Sequence, residues 1–360
     1  MLSEITAAAQ LIFTFIIGMY FFMKIRSESA GTQGCREESK VEGEPLNQMR
    51  HIHLTEPLTE KARPSELNEI IGQNDGIRAL QAALFGENPQ HVIIYGPPGV
   101  GKTAAARVVM EAAKKSSDSP FSKDAPFVEA DATIMRFDER SIADPLIGSV
   151  HDPIYQGAGD FGNMGIPVPK EGAVSRAHGG ILFIDEIGEL HPIQLNRLLK
   201  VLEDRKVSFE SAYYSKSNKK IPTYIHDIFQ NGIPADFRLV GATTRRPDEI
   251  PEAVRSRCVE VFFSALKRED VERIVMNACV KIGVNAENGV KELISLYAEN
   301  GRDAVKILQT SANIVHLDGR KSIRISDVEW VIKMGRYSAR HEIYDENDRR
   351  IIGIRVIKPE

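Results

Sequence analysis

The chain has 360 residues, of which 42% are hydrophobic, 27% charged and 7% aromatic, and its formal net charge is -4. This is enough apolar material for about two globular units of roughly 150 residues each, which excludes a disordered chain. The lack of a basic excess leaves no global electrostatic pull toward a polyanion. Cys35, Cys258 and Cys279 form no CxxC pair, so neither a zinc site nor a disulfide framework is expected and the thiols read as reduced and cytosolic.

In chain order, the first feature is Ile5 to Met23, ITAAAQLIFTFIIGMYFFM, nineteen residues without a charge. At a rise of about 1.5 Å per residue they nearly span a hydrocarbon core of about 30 Å. Tyr20, Phe21 and Phe22 suit an interfacial belt, while Lys24 and Arg26 place the following chain on the cytoplasmic side. The opening MLSE carries an acid where a signal peptide carries a base, and no A-x-A site follows, so a retained single-pass transmembrane helix over residues 1–26 is expected. Residues 27–60, rich in polar and charged residues and with weak apolar periodicity, read as a flexible linker.

Strand-like runs then alternate with helical stretches: HVIIY at 91–95, a helix from Lys102 to about Lys115, PFVEADA at 126–132, ILFI at 181–184, a helix around 190–203 and FRLVGAT at 237–243. Such alternation predicts an α/β domain over 61–264, with a mostly parallel sheet covered by helices on both faces. Strand signals fade after Ser264, and amphipathic helices at roughly 267–282, 287–299, 302–316 and 326–335 predict a small all-helical domain over 265–335. Ser326-Asp327-Val328-Glu329 reads as the capping box of the last one. The tail, 336–360, carries one apolar run, IIGIRVI, and is too short to form a domain.

HVIIY runs directly into Gly96-Pro97-Pro98-Gly99-Val100-Gly101-Lys102-Thr103 and then into an alanine-rich helix, which is the strand–loop–helix context that G-x-x-x-x-G-K-T requires. Glycines let successive backbone N–H groups curl round a phosphate, and the helix adds its positive dipole end. Lys102 would reach the β- and γ-phosphates of ATP, and Thr103 would hold Mg²⁺. Ile181-Leu182-Phe183-Ile184-Asp185-Glu186 supplies the other half. A buried strand delivers Asp185 to the Mg²⁺ shell, and Glu186, one residue on, can orient and polarise the attacking water. Taken alone that hexapeptide is equally a strand ending in a solvated acidic turn; the phosphate loop gives it its meaning.

Together these stretches resemble the AAA+ ATPases, and more closely the ATPase part of the membrane-anchored bacterial Lon proteases, the LonB type. The resemblance covers about residues 1–335. It rests on the anchor, RPSELNEIIGQNDGIRAL, GPPGVGKT, HDPIYQGAGDFG, PKEGAVSRAHGGILFIDEIGEL, the stretch from SAYYSKSNKK through GATTRRPDEIPEAVRSRC, and NGRDAVKILQTSA. It implies a P-loop AAA+ sheet with a helical lid, ATP and Mg²⁺ as cofactors, and a bacterial cell membrane as location. It also implies protein substrates and a ring, a hexamer by family likeness. By position it assigns Ile71, Gly72 and Gln73 to the adenine and Thr244, with Thr243 as rival, to sensing the γ-phosphate. Arg257 matches the arginine finger and Arg302 the second sensor. A fixed guanidinium meets the charge that develops on the γ-phosphoryl oxygens without reorganisation.

The resemblance also sets limits. Lon proteases continue into a peptidase domain with a Ser–Lys dyad, and no such site is expected within these residues, the tail standing where that domain begins. Pro169-Lys170-Glu171-Gly172-Ala173-Val174-Ser175 is only superficially similar to the peptidase serine motif, because it lies between the phosphate loop and Asp185. His51 and His53 lack a completing ligand and read as linker residues. Tyr213 to Lys220 interleaves aromatics with bases and reads as a solvated insertion before a nucleic-acid contact. Phe161, Met164 and Ile166 lie where related rings place pore loops; gripping a polypeptide and filling a loop are equally open readings. The expected activity is ATP-driven unfolding or translocation of proteins. The alternatives are a DNA motor of the branch-migration type and a nucleotide-gated scaffold.

Overall fold

The structure is a computed structural model that describes residues 17–20, 58–135, 144–151, 166–219, 221–344 and 351–356. Of the expected anchor only residues 17–20, which are helical, fall among them; its remainder, the linker to residue 57, and Cys35, His51, His53, Phe161 and Met164 lie outside. Among the described residues no helix is long and apolar enough to cross a membrane. The chain forms two units, residues 1–57 and 58–360.

Five strands make the main sheet of the second unit: β1 (His91–Tyr95), β2 (Phe127–Asp131), β3 (Ile181–Asp185), β4 (Arg238–Thr243) and β5 (Cys258–Phe262). They are ordered β2-β3-β4-β1-β5 and every pairing is parallel. Runs such as VIIY and ILFI are apolar at consecutive positions because a parallel sheet is buried on both faces. Successive side chains therefore enter different cores. Val92, Ile94, Phe183 and Val240 pack with helices α1 (Asn74–Leu84) and α2 (Lys102–Ala113). Ile93, Tyr95, Leu182 and Leu239 pack with α3 (Pro192–Asp204) on the other side. Helix α3 starts at a proline, whose missing N–H costs nothing in a first turn, and the His191 ring accepts the Ile193 N–H just ahead of it.

Strand β5 escapes a reading of the sequence. Cys258, Val259 and Glu260 are half-buried, Val261 is buried and Phe262 is 57% exposed, as expected at a sheet edge and unlike the continuously buried runs of the inner strands. Cys258 on this strand and Cys279 are free thiols, and burial pushes the Cys258 thiol up to about 12.

The region expected as a lid follows α4 (Thr223–Asn231) and comprises α5 (Arg268–Ile282), α6 (Val290–Tyr297), α7 (Gly301–Leu317) and α8 (Ile325–Gly335). Gly283, at φ +68, ends α5 in the left-handed conformation that glycine adopts without strain. Helix α8 begins one residue before Ser326, so the expected capping box is displaced: Asp327 accepts the Arg324 backbone N–H, and Ser326 lies inside the helix. The core of the lid, Val271, Val275, Leu308 and Val328 among others, is continuous with the apolar cluster on the α1–α2 face of the sheet. The tail forms a further hairpin, β6 (Arg340–Tyr344) antiparallel to β7 (Ile351–Val356).

Two expectations about loops change. Ile166 is fully buried against Ile221 and Ile225, so it fills a small core and cannot grip a polypeptide. Tyr214, in the stretch read as solvated, stacks on Phe229 with ring centroids 4.3 Å apart and meets His226 Nδ1 at 3.1 Å through its hydroxyl. The insertion thus has packing of its own.

His91, at the start of β1, accepts the backbone N–H of Leu239 through Nδ1 at 3.0 Å, and burial pushes its pKa down to about 4. The unfolded chain therefore binds a proton that the folded chain refuses. Stability should fall as the pH drops from about 6.5 toward 4, by roughly 3 kcal/mol from this group. Urea melts across that window should show a shallower slope in His91→Asn, whose amide accepts the same N–H without titrating.

Candidate nucleotide site

The C-terminal ends of β1, β3 and β4 converge at one edge of the sheet. The register Tyr95↔Thr243 and Ile184↔Gly241 fixes their relative height. Out of β1 the chain turns at Gly96, whose N–H donates to Thr243 O at 3.2 Å. A Cβ on Gly96 would lie 2.6 Å from Phe263 O, so the close approach of these backbones requires glycine. Gly99 and Gly101 have φ of +70 and +95. Gly101 is the N-cap of α2, with no side chain capping that end, and a Cβ there would meet nothing within 4 Å. The first turn of α2 thus faces open space with its N–H groups, a cradle that fits a phosphate.

Lys102 is 7% exposed, and its Nζ donates to Gly96 O at 2.7 Å and Pro97 O at 3.0 Å. Burial lowers its pKa, opposed by the nearby Glu186 and Asp185 carboxylates. The Asp185 carboxyl is pushed above the ordinary range, first by burial and then by the charge of Glu186; the Glu186 N–H, donated to its Oδ1 at 3.1 Å, and Lys102 work against that rise. Glu186 leaves the strand at φ +49, a left-handed conformation uncommon for a residue with a side chain. Thr244 holds it there, donating both its backbone N–H (3.0 Å) and its hydroxyl (3.1 Å) to Glu186 Oε2. Thr243, the rival position, is fully buried, and its Oγ1 accepts the Arg245 N–H. Thr244 is therefore the threonine in contact with the acidic end of β3.

Lys102, Asp185 and Glu186 open on a cavity of about 470 Å³, which Thr243 and Thr244 do not line; its size is within the usual range for small-molecule sites. Pro98 to Ala104, Asp185 and Glu186 line one end, and Ile70, Ile71 and the lid residues Ile274 and Asn277 another. Arg302, on the first turn of α7, lines it too, and makes no hydrogen bond or ion pair among the described residues. Gly96, Pro97, Gly72 and Gln73 do not line it. Gln73 is spent on architecture: its amide donates to Ser264 O at 2.7 Å and accepts the Ser264 N–H at 3.0 Å. Gly72, at φ +77, lets Asp270 approach.

Arg257 lies elsewhere. It donates to Ala253 O at 2.8 Å, pairs with Glu203 on α3, and does not line the cavity. Ser175 is buried on the short helix Ala173–Arg176, which leaves no exposed nucleophile there. Sequence reasoning does not find Asn300 and Lys281. Asn300 caps α7 by accepting the Asp303 N–H, and packs on the phosphate loop so closely that a Cβ on Gly99 would lie 2.5 Å from its Oδ1. Lys281, at the far end of the cavity, donates to Arg63 O and pairs with Glu69. An asparagine ahead of a helical run is a recognisable N-cap signal; nothing in the local sequence points to Lys281.

The surroundings of Asp185 oppose its ionisation, so a carboxylate at this position, the one expected to hold a cation, forms at some cost to the fold. A carboxyl whose folded pKa is raised opposes folding increasingly as the pH climbs from its unfolded pKa through its folded one, and the burden stays wherever both states are ionised. Asp185→Asn should raise the melting temperature of the nucleotide-free protein while abolishing Mg²⁺-dependent turnover, as differential scanning fluorimetry and a phosphate-release assay would read.

The family model for the magnesium chelatase subunit ChlI matches residues 66–225. Lon protease 2 of Bacillus subtilis is 59% identical over 333 residues, 92% of this chain and 60% of that protein. The Holliday junction branch migration complex subunit RuvB of Parasynechococcus marenigrum is 26% identical over 344 residues, 92% of the chain and 81% of its own length. Among solved structures, the Thermotoga maritima RuvB branch migration motor matches with a TM-score of 0.51 at 20% identity, over 76% of this chain and 73% of that one, which is a likeness of fold. The chain spans less than two thirds of the length of Lon protease 2. A parallel five-stranded sheet with an intact phosphate loop, an acidic pair on the adjoining strand and this degree of identity make the chain an AAA+ ATPase related to Lon protease.

Proposed function

We propose that the chain is the membrane-tethered motor of a Lon-type system, which uses ATP hydrolysis to unfold or translocate proteins. The observation that carries this reading is 59% identity to Lon protease 2 across 92% of the chain, together with a cavity that gathers Lys102, Thr103, Asp185, Glu186 and Arg302. In this scheme residues 61–264 and 265–335 are the nucleotide-binding domain and lid, and residues 1–26 the tether. Peptide-bond cleavage is assigned to a Lon-type peptidase domain and not to any residue described above.

The ATP phosphates would lie over the open N–H groups at the start of α2. Lys102, now on the Gly96 and Pro97 carbonyls, would exchange one of them for a phosphate oxygen. Thr103 and Asp185 would hold Mg²⁺, which neutralises charge on the phosphates. With Glu186 Oε2 occupied by Thr244, the other carboxylate oxygen is left to accept a proton from the attacking water. Glu186→Gln should bind ATP normally and fail to turn it over. Arg257, away from its own cavity, would act on the nucleotide of a neighbouring subunit in a ring. Arg257→Ala should keep ATP affinity and lose about 10³-fold in turnover. Mixing it with Lys102→Ala subunits should restore part of the activity, since each supplies what the other lacks; lost ATP affinity in Arg257→Ala would make the residue structural.

The rival reading is a DNA motor, favoured by the RuvB likeness over 81% of that protein. A permanently unfolded protein such as casein should stimulate ATP turnover severalfold and a four-way DNA junction should leave it unchanged; the reverse result would select the rival. The full chain made in a bacterium should sediment with membranes, and recovery in the soluble fraction would remove the tether from the scheme.

A further inference from the structure

Arg340 is only 4% exposed, and no step of hydrolysis uses it. Its guanidinium bridges two backbone segments: one terminal nitrogen donates to Ala298 O at 3.0 Å, the other to Leu266 O at 2.7 Å. Both segments shape the nucleotide cavity. Leu266 lies between β5 and α5, is 2% exposed and lines the cavity wall. Ala298 closes α6 and stands two residues before Asn300. The loop it begins rests on the phosphate loop, with Asn300 against Gly99, and Gly301 placed so that a Cβ there would lie 3.4 Å from Gly99 O. Arg302 follows on the first turn of α7.

The carbonyls that end a helix have no intrahelical partner, and a cation beside them meets the negative end of the helix dipole. A guanidinium is a planar fork of fixed geometry, so two charge-assisted bonds from one such group set the spacing between the two acceptors. An ammonium on a flexible stem does not. What Arg340 fixes is thus the distance from the start of the lid to the loop that leads into α7 and Arg302.

We propose that Arg340 is a positioning residue for ATP turnover. By bracing Leu266 against Ala298 it holds Arg302 at the phosphate end of the cavity. Because Arg340 is also the first residue of β6, the same brace ties the cavity to the β6–β7 hairpin. This inference rests on the ATPase assignment.

The test is a double-mutant cycle on the full chain, with Mg·ATP turnover and affinity for a fluorescent ATP analogue measured in the parent, Arg340→Met, Arg302→Ala and the double variant. Arg340→Met should lower kcat about tenfold and leave KM within about twofold. In the Arg302→Ala background it should have almost no further effect, since the group it positions is gone. A merely structural residue would add the same loss in both backgrounds, and that additivity would overturn the proposal. Arg340→Lys keeps the charge without the fork and should fall between parent and Met; if Arg340→Met does not fold, the same cycle with Lys decides. A parent chain that does not hydrolyse ATP would refute the ATPase assignment itself, a result distinct from additivity in an active enzyme.

Discussion

Parallel pairing is the constraint on which the site depends. Because β1, β3 and β4 run in one direction and in register, their C-terminal residues emerge at the same edge. Tyr95 hands over to the phosphate loop, Asp185 and Glu186 end the central strand, and Thr243 leads to Thr244. In an antiparallel sheet these three ends would alternate between opposite edges, and no short loop could reunite them. Crevices outside the carboxyl ends of parallel strands are a general location for ligands, and here the topology brings a lysine and two carboxylates onto one cavity, with the Thr244 hydroxyl bonded to one of those carboxylates behind it.

Assembling those groups opposes folding. A buried ammonium, a carboxyl held above its ordinary range and a left-handed glutamate each raise the free energy of the folded chain. Two apolar layers offset this, since the strands between them present consecutive aliphatic residues to both faces. Local bonds restrain what is left: the Thr244 pair on Glu186 and the two carbonyls on Lys102 hold charged groups that burial alone would expel.

Much of this is legible in the sequence, for reasons that particular residues illustrate. GPPGVGKT is readable because its conformation needs glycine at fixed places, and ILFIDE because a strand buried on both faces excludes polar residues until its end. Strand β5 is hidden because an edge strand mixes Glu260 with Val259 and Val261, which dilutes the apolar run. Ile166 misleads because composition shows a large side chain in a glycine-rich loop but not the Ile221 and Ile225 that cover it. Arg340, Gln73 and Lys281 are invisible for a different reason: each bonds groups dozens to hundreds of positions away, and such pairings are set by the tertiary structure.

The lid shares one continuous apolar cluster with a face of the sheet, Val271, Ile307 and Leu308 belonging with Val92, Val240 and Ala242. A lid joined only by a linker would melt separately and swing freely. With a common interior, heat should release residues 58–335 in a single calorimetric transition. Lid displacement must then proceed as a sliding of packed helices over small distances, in the manner of shear and not of a hinge. In the motor proposed above, mechanical work would accordingly be delivered in short, stiff strokes.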